Sequence, residues 1–286
     1  DLKEAVKLLR PVKKEGKINK WAAMTLLSRV YLYMGNDGEA YNVAAEAIKG
    51  AEKQGYKLWT NDEYAKIWAT PFNSELLFEI VNLTTDSPGK SSIGYLCTKY
   101  NLIATEKYWK DYMKDNSDDV RSQMVSTASS SKPYCLKYPA QGSKSYEDAN
   151  IPIFRLSELY LNAAEAALMT GESAIPAART YLLTLIKQRY KAAAYTEKET
   201  AINAMGRDEL LQEIYDERTR ELAFEGHRWF DLRRTTRPRL EKTYSGTTYV
   251  LEENDSRYTI RIPNETILDG KLVKEKKLNI AGLPEP

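Results

Sequence analysis

The residues with the most capacity for chemistry lie in one charged run, residues 216–234, where carboxylates and guanidinium groups alternate among aromatic rings. Three pairs of opposite charge stand three residues apart, the spacing of neighbours on a helix: Glu217 and Arg220, Arg218 and Glu221, and Glu225 and Arg228. An exposed ion pair contributes only about 0–1 kcal/mol, so this density of charge indicates a buried network that specifies geometry. We therefore predict one buried or half-buried helix whose charges hold structure.

Residues suited to catalysis are scarce. The chain has one histidine, His227, which is predicted to be a packing or surface residue because it lies inside the charged run. No nucleophile elbow, phosphate-binding loop, dinucleotide fingerprint or metal-binding HExxH motif occurs. The acidic cluster 115–119 could hold a cation, but a solvated turn that caps a helix is the favoured interpretation. We predict no catalytic residue, no cofactor and no metal site.

One enzymatic alternative stays open, because a glycoside hydrolase needs only two carboxylates at a suitable separation. The 40 acidic residues cannot be sorted by sequence for such a pair. Those that stand out are paired with arginines, which lower a carboxyl pKa and make a poor general acid. A glycosidase is therefore the weaker hypothesis.

Composition indicates a folded chain with no broad electrostatic field. Its 286 residues, 42% of them hydrophobic, suffice for one large domain or two small ones. The net charge of +2 argues against nucleic-acid binding. No apolar run reaches the roughly 20 residues of a transmembrane helix, and residues 1–5 carry no signal-peptide pattern and no cysteine for a lipid.

Cysteine and tyrosine usage differ in what they imply. Cys97 and Cys135 are the only cysteines and lack zinc-site spacing, so they are either a disulfide in an oxidising compartment or two buried thiols. Tyrosine is abundant, at 20 residues. A flat ring with a polar tip suits a surface that binds a sugar or a protein, although packing between helices explains many of these rings.

The elements that must position these residues are mainly helices. Apolar residues at the helical period predict a helix over 21–35, and the alanine-rich segment 40–48 predicts a second helix packed closely on it. The pattern returns at 154–171 with a following helix, and a third unit spans about 208–232. Paired helices of this kind are typical of tetratricopeptide repeats.

Between the first two helical units, residues 84–150 are weakly periodic and rich in tyrosine. Segments 84–92 and 126–133 are predicted loops, and binding residues concentrate on loops. Near the end, segments 247–251 and 258–263 are predicted strands of a hairpin-like appendage. We predict a mainly α, single domain over 1–286, with helical repeats at about 18–50, 152–188 and 207–234 and a ligand-loop region at about 84–150.

The charged run, as ExRxRELxxEGxRxxDLRR, resembles the C-terminal signature of the SusD/RagB family of outer-membrane nutrient-binding lipoproteins. Other segments resemble family motifs in the same order: 22–35, 73–80, 119–121, 137–138 and 153–166. The resemblance covers most of the chain from about 20 to 235. Family members are usually longer and carry a lipobox cysteine, so it implies a C-terminal portion or a chain lacking its N-terminal region. The closing motif survives at 262–265, but the segment after it is altered.

This resemblance implies a SusD-like fold and a non-enzymatic binder on the outer-membrane surface of a Gram-negative bacterium. Such a protein captures an oligosaccharide, or a peptide in some relatives, and delivers it to a SusC-like TonB-dependent outer-membrane transporter. Its membrane association would run only through an N-terminal lipid anchor absent from this chain. By loop context and family position, the predicted ligand-binding residues are Tyr95, Tyr100, Tyr108 and Trp109. A tetratricopeptide scaffold that binds only protein is the competing class.

Overall fold

The computed structural model describes residues 1–100, 102–128, 132–244 and 246–259. The chain divides into two compact units, Asp1–Glu225 and Gly226–Pro286. The helices of the first unit are α1 (Leu2–Leu8), α2 (Lys20–Tyr33), α3 (Asp37–Lys53), α4 (Ile93–Lys99), α5 (Glu106–Tyr108), α6 (Leu156–Thr170), α7 (Ile175–Lys187), α8 (Ala192–Ala204) and α9 (Arg207–Glu221). The prediction of one domain over 1–286 stays a prediction.

The predicted pair of helices at the start of the chain is confirmed as α2 and α3. Asn19 caps α2 by accepting a hydrogen bond from the Ala22 amide, 3.0 Å away. The two helices approach closely because α3 presents small residues: a Cβ on Gly50 would lie 2.2 Å from the Trp21 ring. Alanine and glycine therefore set the packing distance of this tetratricopeptide-like pair.

Helix α6 forms the centre of the first unit, and residues 156–168 are all buried. It packs against α2, α3, α7 and α9. A helix buried on every face requires cover on every side, and these four helices supply it. Its buried polar residue Asn162 is satisfied, because it donates to the Ser28 hydroxyl at 3.0 Å and accepts from Arg218 at 2.8 Å.

The strands of the first unit are short antiparallel pairs: β1 (Leu76–Ile80) with β4 (Ile151–Arg155), and β2 (Val125–Ser126) with β3 (Tyr134–Cys135). The sequence pattern predicts that the second helical unit begins near residue 154. Phe154 and Arg155 instead end β4, and α6 begins at Leu156. The strand pairing brings Arg155 beside Leu76 across the ladder.

The second unit contains α10 (Arg228–Arg234) and a hairpin of β5 (Leu240–Tyr244) and β6 (Thr247–Leu251). The predicted β appendage is therefore confirmed at 247–251, but its partner is β5. Tyr258 lies in a 3₁₀ turn, stacked on Trp229 with ring centroids 5.3 Å apart. The predictions for residues 260–263 and the closing motif 262–265 lie outside the described residues.

The charged run is not one helix, and that prediction was wrong. α9 ends at Glu221 and α10 begins at Arg228. Phe224 and Gly226 both have positive φ, 65° and 84°, which an α-helix cannot accommodate. His227 is buried just before α10. In the part of the chain described, no helix has both the length and the apolar character needed to cross a membrane.

Candidate functional site

A cluster of tyrosine rings lies on the predicted ligand-loop region. The ring centroids of Tyr95 and Tyr100 are 5.7 Å apart, and those of Tyr95 and Tyr146 are 6.2 Å apart. Tyr100 is 69% exposed, and the Lys99 ammonium lies 5.6 Å from the Tyr146 ring centroid. We call Tyr95, Tyr100 and Tyr146 the tyrosine surface. Tyr95 and Tyr146 are half-buried, so solvent reaches this surface mainly at Tyr100.

Helix α4 fixes two of these rings. The Ser92 hydroxyl caps its start by accepting a hydrogen bond from the Tyr95 amide at 3.0 Å. Tyr100 follows its end, with its amide donating to the Leu96 carbonyl. The third ring approaches because Gly94 has no side chain: a Cβ there would lie 2.0 Å from the Tyr146 carbonyl oxygen. Gly94 therefore brings the 146 segment against α4.

Apolar side chains accompany the rings in the same segments. Leu96 on α4, Leu102, Ile103 and Leu136 are all exposed. The Cys135 amide donates to the Leu102 carbonyl at 2.9 Å, so the segment around 102 lies beside β3. Such a mixture of apolar area and hydroxyl groups suits a ligand that is itself partly apolar and partly hydrated.

The other two predicted ligand residues lie in a different cluster. Tyr108 and Trp109 are half-buried and pack against the core residues Ala104, Met113 and Val125. The Tyr108 ring meets Phe224 edge-on at 6.0 Å, and burial raises the pKa of its phenol. The structure thus brings Tyr95 and Tyr100 together and places Tyr108 and Trp109 in another packing cluster, where ligand contact stays a prediction.

Tyr146 was not among the predicted site residues. It is distant in sequence from Tyr95, and no local pattern joins the two. The sequence signal for this contact was Gly94, a glycine that lies inside helix α4 and not in a turn. A helical glycine costs about 1 kcal/mol relative to alanine, so it indicates that another backbone comes close.

A buried ionic network holds the chain segments next to the tyrosine surface. Its side chains are at most 7% exposed and carry five positive and five negative charges. The cations are Arg121, Lys137, Arg155, Arg189 and Arg220, and the carboxylates are Glu75, Asp119, Glu217, Glu221 and Glu225. Equal numbers leave no uncompensated charge among these ten groups, which is the condition for burying them.

Glu221, the last residue of α9, lies at the centre of the network. Its two oxygens accept from Arg155 Nη1 at 2.7 Å and Arg189 Nε at 2.9 Å, and Arg121 Nη1 lies 3.5 Å away. Arg155 and Arg189 also share Glu75 Oε1, at 2.9 and 2.8 Å. The predicted pair of Glu217 and Arg220 is confirmed at 2.9 Å.

Lys137 connects the network to the tyrosine surface. Its ammonium donates to the Glu221 and Ala223 carbonyls at the end of α9, at 3.1 and 2.8 Å, and to Glu225 at 2.6 Å. A cation here also opposes the negative end of the helix dipole. The next residue, Tyr138, has a carbonyl oxygen 3.2 Å from where a Gly94 Cβ would be. The network therefore anchors the chain segment on which α4 rests.

The two cysteines make a second connection. Cys97 on α4 and Cys135 on β3 are buried free thiols, which answers the alternative that the sequence left open. The hydrogen bond between them lowers the pKa of Cys97, whereas burial raises that of Cys135. Both thiols belong to one buried apolar cluster, which packs α4 against β3.

The carboxyl pKa values of the network predict loss of stability in acid. Burial alone raises the pKa of Glu221, but Arg189 and Arg155 outweigh burial and hold it well below 4.5. The pKa values of Glu217 and Glu225 are lowered for similar reasons, whereas burial raises that of Glu75. A lowered folded-state pKa adds stability above the unfolded value of about 4.5, and this is lost as pH falls through the folded-state value.

In this network three carboxyl groups have lowered pKa values and Glu75 has a raised one. The free energy of unfolding should therefore decline below pH 4.5. Urea unfolding between pH 7 and pH 3 is expected to show a nearly constant free energy down to about pH 5 and a fall below it. A free energy that rises on acidification would contradict this assignment.

Within the acidic cluster 115–119, Asp119 is buried and held by the fold, whereas Asp118 is exposed and pairs with Lys191 at 3.5 Å. Asp119 accepts from the Arg121 backbone amide at 2.9 Å and binds its guanidinium through both oxygens at 2.8 Å. Within the described ranges, no three His, Cys, Asp or Glu side chains are grouped to hold a metal ion.

Comparison with known proteins gives one consistent result. The family model described as the SusD family matches residues 28–268. No match was found among curated proteins. A Bacteroides vulgatus structure described provisionally as a sugar-binding protein is 39% identical with a TM-score of 0.76, over 93% of this chain and 61% of that one.

Two further structures of SusD superfamily proteins agree. One from Bacteroides vulgatus is 29% identical with a TM-score of 0.76, over 94% of this chain and 61% of that one. One from Bacteroides thetaiotaomicron is 28% identical with a TM-score of 0.75, over 93% of this chain and 62% of that one. The chain thus spans about three-fifths of the length of these proteins. The helical scaffold, the order of its motifs and these matches together place the chain in the SusD family.

Proposed function

We propose that the chain binds a glycan without catalysing a reaction on it, and that the tyrosine surface is the platform on which the glycan stacks. The observation that carries this is the convergence of Tyr95, Tyr100 and Tyr146 into one cluster, in which Tyr100 is exposed and the other two rings are half-buried. Their ring faces suit the apolar face of a sugar, and their hydroxyls suit its polar edge. The similarity to a protein described provisionally as sugar-binding supports the same ligand class.

The acids of the buried network support a binding role without catalysis. A glycosidase needs one carboxyl with a raised pKa beside a second carboxylate and a route for substrate. Glu217, Glu221 and Glu225 have lowered pKa values and are buried under arginines. Glu75 has a raised pKa, but it is fully buried and held by Arg155 and Arg189. Neither group suits an acid that must reach a sugar.

The wider role we propose is delivery of the glycan to a SusC-like TonB-dependent transporter, with the protein held on the outer-membrane surface by a lipid. Membership of the SusD family supports this role. Co-purification of the transporter with the full-length protein from outer membranes, in a detergent that preserves lipoproteins, is the measurement. A full-length protein found only in the soluble fraction would contradict it.

Removing the three rings of the tyrosine surface is expected to abolish most glycan binding. Each stacked ring contributes about 0.5–1.5 kcal/mol beyond area burial, so the Tyr95→Ala/Tyr100→Ala/Tyr146→Ala variant should lose at least about tenfold in affinity. The measurement is retardation in native gels cast with a panel of polysaccharides, followed by calorimetry on the polysaccharide that retards the chain.

Tyr249→Ala is the matched control, because Tyr249 is 60% exposed on β6 and belongs to the second unit. Its retardation should equal that of the unaltered chain. Unchanged affinity in the triple variant would move the platform elsewhere, and Tyr108 and Trp109 would be substituted next. Release of reducing sugar from any polysaccharide in the panel would overturn the non-enzymatic assignment.

A further inference from the structure

A separate cleft of about 460 Å³ lies between α8 and the segment after α5. One wall is a single face of α8, since Ala194, Glu197, Lys198 and Ala201 recur at helical spacing. The other wall carries Asp111, Tyr112, Asn116 and Asp118, and Tyr190 and Arg220 are the most buried lining residues, at 4% and 6% exposure. Its volume falls within the roughly 300–1,000 Å³ of small-molecule sites. It shares no lining residue with the tyrosine surface.

The wall opposite α8 is held in a fixed shape. Residues Trp109–Met113 form a π-helical turn, and the Lys114 amide donates to the Trp109 carbonyl at 2.7 Å. Such turns are rare and recur at functional sites. The Tyr112 hydroxyl donates to Asp216 on α9 at 2.8 Å, and the Asn116 amide donates to the Tyr112 carbonyl at 3.0 Å. The cleft is therefore formed in advance of any ligand.

Two deeply buried side chains keep unused hydrogen-bonding atoms at the bottom of the cleft. Arg121 and Lys198 lie 5.4 and 5.5 Å from the Tyr190 ring centroid and fix the ring. Across residues 1–100, 102–128, 132–244 and 246–259, the Tyr190 hydroxyl has no hydrogen-bond partner. Arg220 uses Nε for Glu217 and Nη2 for Glu213, and its Nη1 is without a partner over the same ranges. Both residues line the cleft and neither atom is enclosed by protein, so a ligand in the cleft can reach the Tyr190 hydroxyl and Arg220 Nη1.

The charges of the lining select a neutral ligand. Most of these charges are already paired within the chain, Asp111 with Lys107, Asp118 with Lys191, and both Lys198 and Arg220 with Glu213, so the cleft offers little net charge to an ion. A sugar hydroxyl both donates and accepts, so it can donate to the carboxylates and accept from the Tyr190 hydroxyl and Arg220 Nη1. We propose that the cleft is a second glycan subsite, for an uncharged sugar unit, an assignment that rests on the proposed glycan-binding function.

The test uses NMR spectroscopy to follow the methyl groups of Ala194 and Ala201, which line the cleft. The chain is labelled with ¹³C at alanine methyls and titrated with neutral probes, maltohexaose, xylohexaose and mannohexaose, and with charged probes, hexagalacturonate and a chitosan hexamer. A neutral probe is expected to shift the methyl resonances of Ala194 and Ala201. Tyr190→Phe, which keeps the ring and removes the hydroxyl, should weaken that binding about two- to tenfold.

Ala201→Trp fills the cleft from the exposed face of α8 and should abolish the shift at Ala194. Ala193→Trp is the matched control, because Ala193 is exposed on the same helix and does not line the cleft. Thermal unfolding of each variant verifies that it is folded. The shifts should persist in the triple variant of the tyrosine surface, which marks the cleft as an independent subsite.

The outcomes separate this proposal from the proposed function. Retardation by a polysaccharide in gels, with unmoved cleft methyls, would overturn the subsite and leave glycan binding at the tyrosine surface standing. Shifts with hexagalacturonate or chitosan alone would overturn the neutral specificity. No retardation and no shift with any probe would overturn both the glycan-binding function and the subsite.

Discussion

Replacing Glu221 by glutamine is expected to lower the free energy of unfolding by about 3–5 kcal/mol, the cost of removing one partner from a buried charge pair. Glutamine keeps the size of the side chain but removes the negative charge that Arg155 and Arg189 share at 2.7 and 2.9 Å. Both guanidinium groups would then be buried with too little compensating charge. Urea unfolding followed by circular dichroism at pH 7 measures the loss.

The matched control is Glu106→Gln on α5. Glu106 is also in an ion pair, with Lys110 at 2.6 Å, but its side chain is 78% exposed. Solvent and salt screen an exposed pair of this kind, so this variant should unfold almost like the unaltered chain. Equal effects of the two substitutions would show that burial does not strengthen the network. If Glu221→Gln is unfolded outright, Glu217→Gln tests the same network at a residue with a different set of arginines.

Replacing Gly94 by alanine has the second largest expected effect, about 1–3 kcal/mol of destabilisation together with loss of glycan binding. The added methyl would meet the Tyr146 carbonyl oxygen at 2.0 Å and the Tyr138 carbonyl oxygen at 3.2 Å. Both are backbone atoms, so no side-chain rotation relieves the clash. The 146 segment must move away from α4, which separates Tyr146 from Tyr95. Thermal unfolding and polysaccharide gels measure the two effects.

Gly38→Ala is the control for this substitution. Gly38 is also helical, on α3, and an added Cβ would meet nothing within 4 Å. Alanine there should stabilise the chain by up to about 1 kcal/mol, because it is the better helix former. A Gly94→Ala variant that behaves like Gly38→Ala would mean that the 146 segment does not pass against α4.

Contacts between residues close in sequence could be predicted, whereas contacts between distant segments could not. The pairing of α2 with α3 follows from helical periodicity and from small residues such as Ala40 and Ala44, all within one short segment. The ion pair of Glu217 and Arg220 was predicted correctly, because side chains three residues apart on a helix are neighbours. The break at Phe224 was missed because the positive φ of a phenylalanine has no sequence signal, although Gly226 marked the place.

Long-range contacts escaped prediction for the same physical reason. Glu221 was paired with Arg218 by helical spacing, and its contacts with Arg121, Arg155 and Arg189 depend on tertiary packing. The tyrosine surface has the same character, since Tyr95 and Tyr146 meet only through the backbone crossing at Gly94. Burial of these arginines could not be read from the sequence, because arginine is mostly exposed in folded proteins.

The balance of charge in the network has a consequence for the order in which the chain can fold. The segments before α9 contribute four of its cations, Arg121, Lys137, Arg155 and Arg189, but only two of its carboxylates, Glu75 and Asp119. Burying these alone would leave two positive charges uncompensated in a low-dielectric interior. Residues 217–225 bring the missing negative charge, so the interior around Glu221 can close only when this late segment docks. Folding of the first unit is thus expected to be all-or-none, with α9 as its final and obligatory piece.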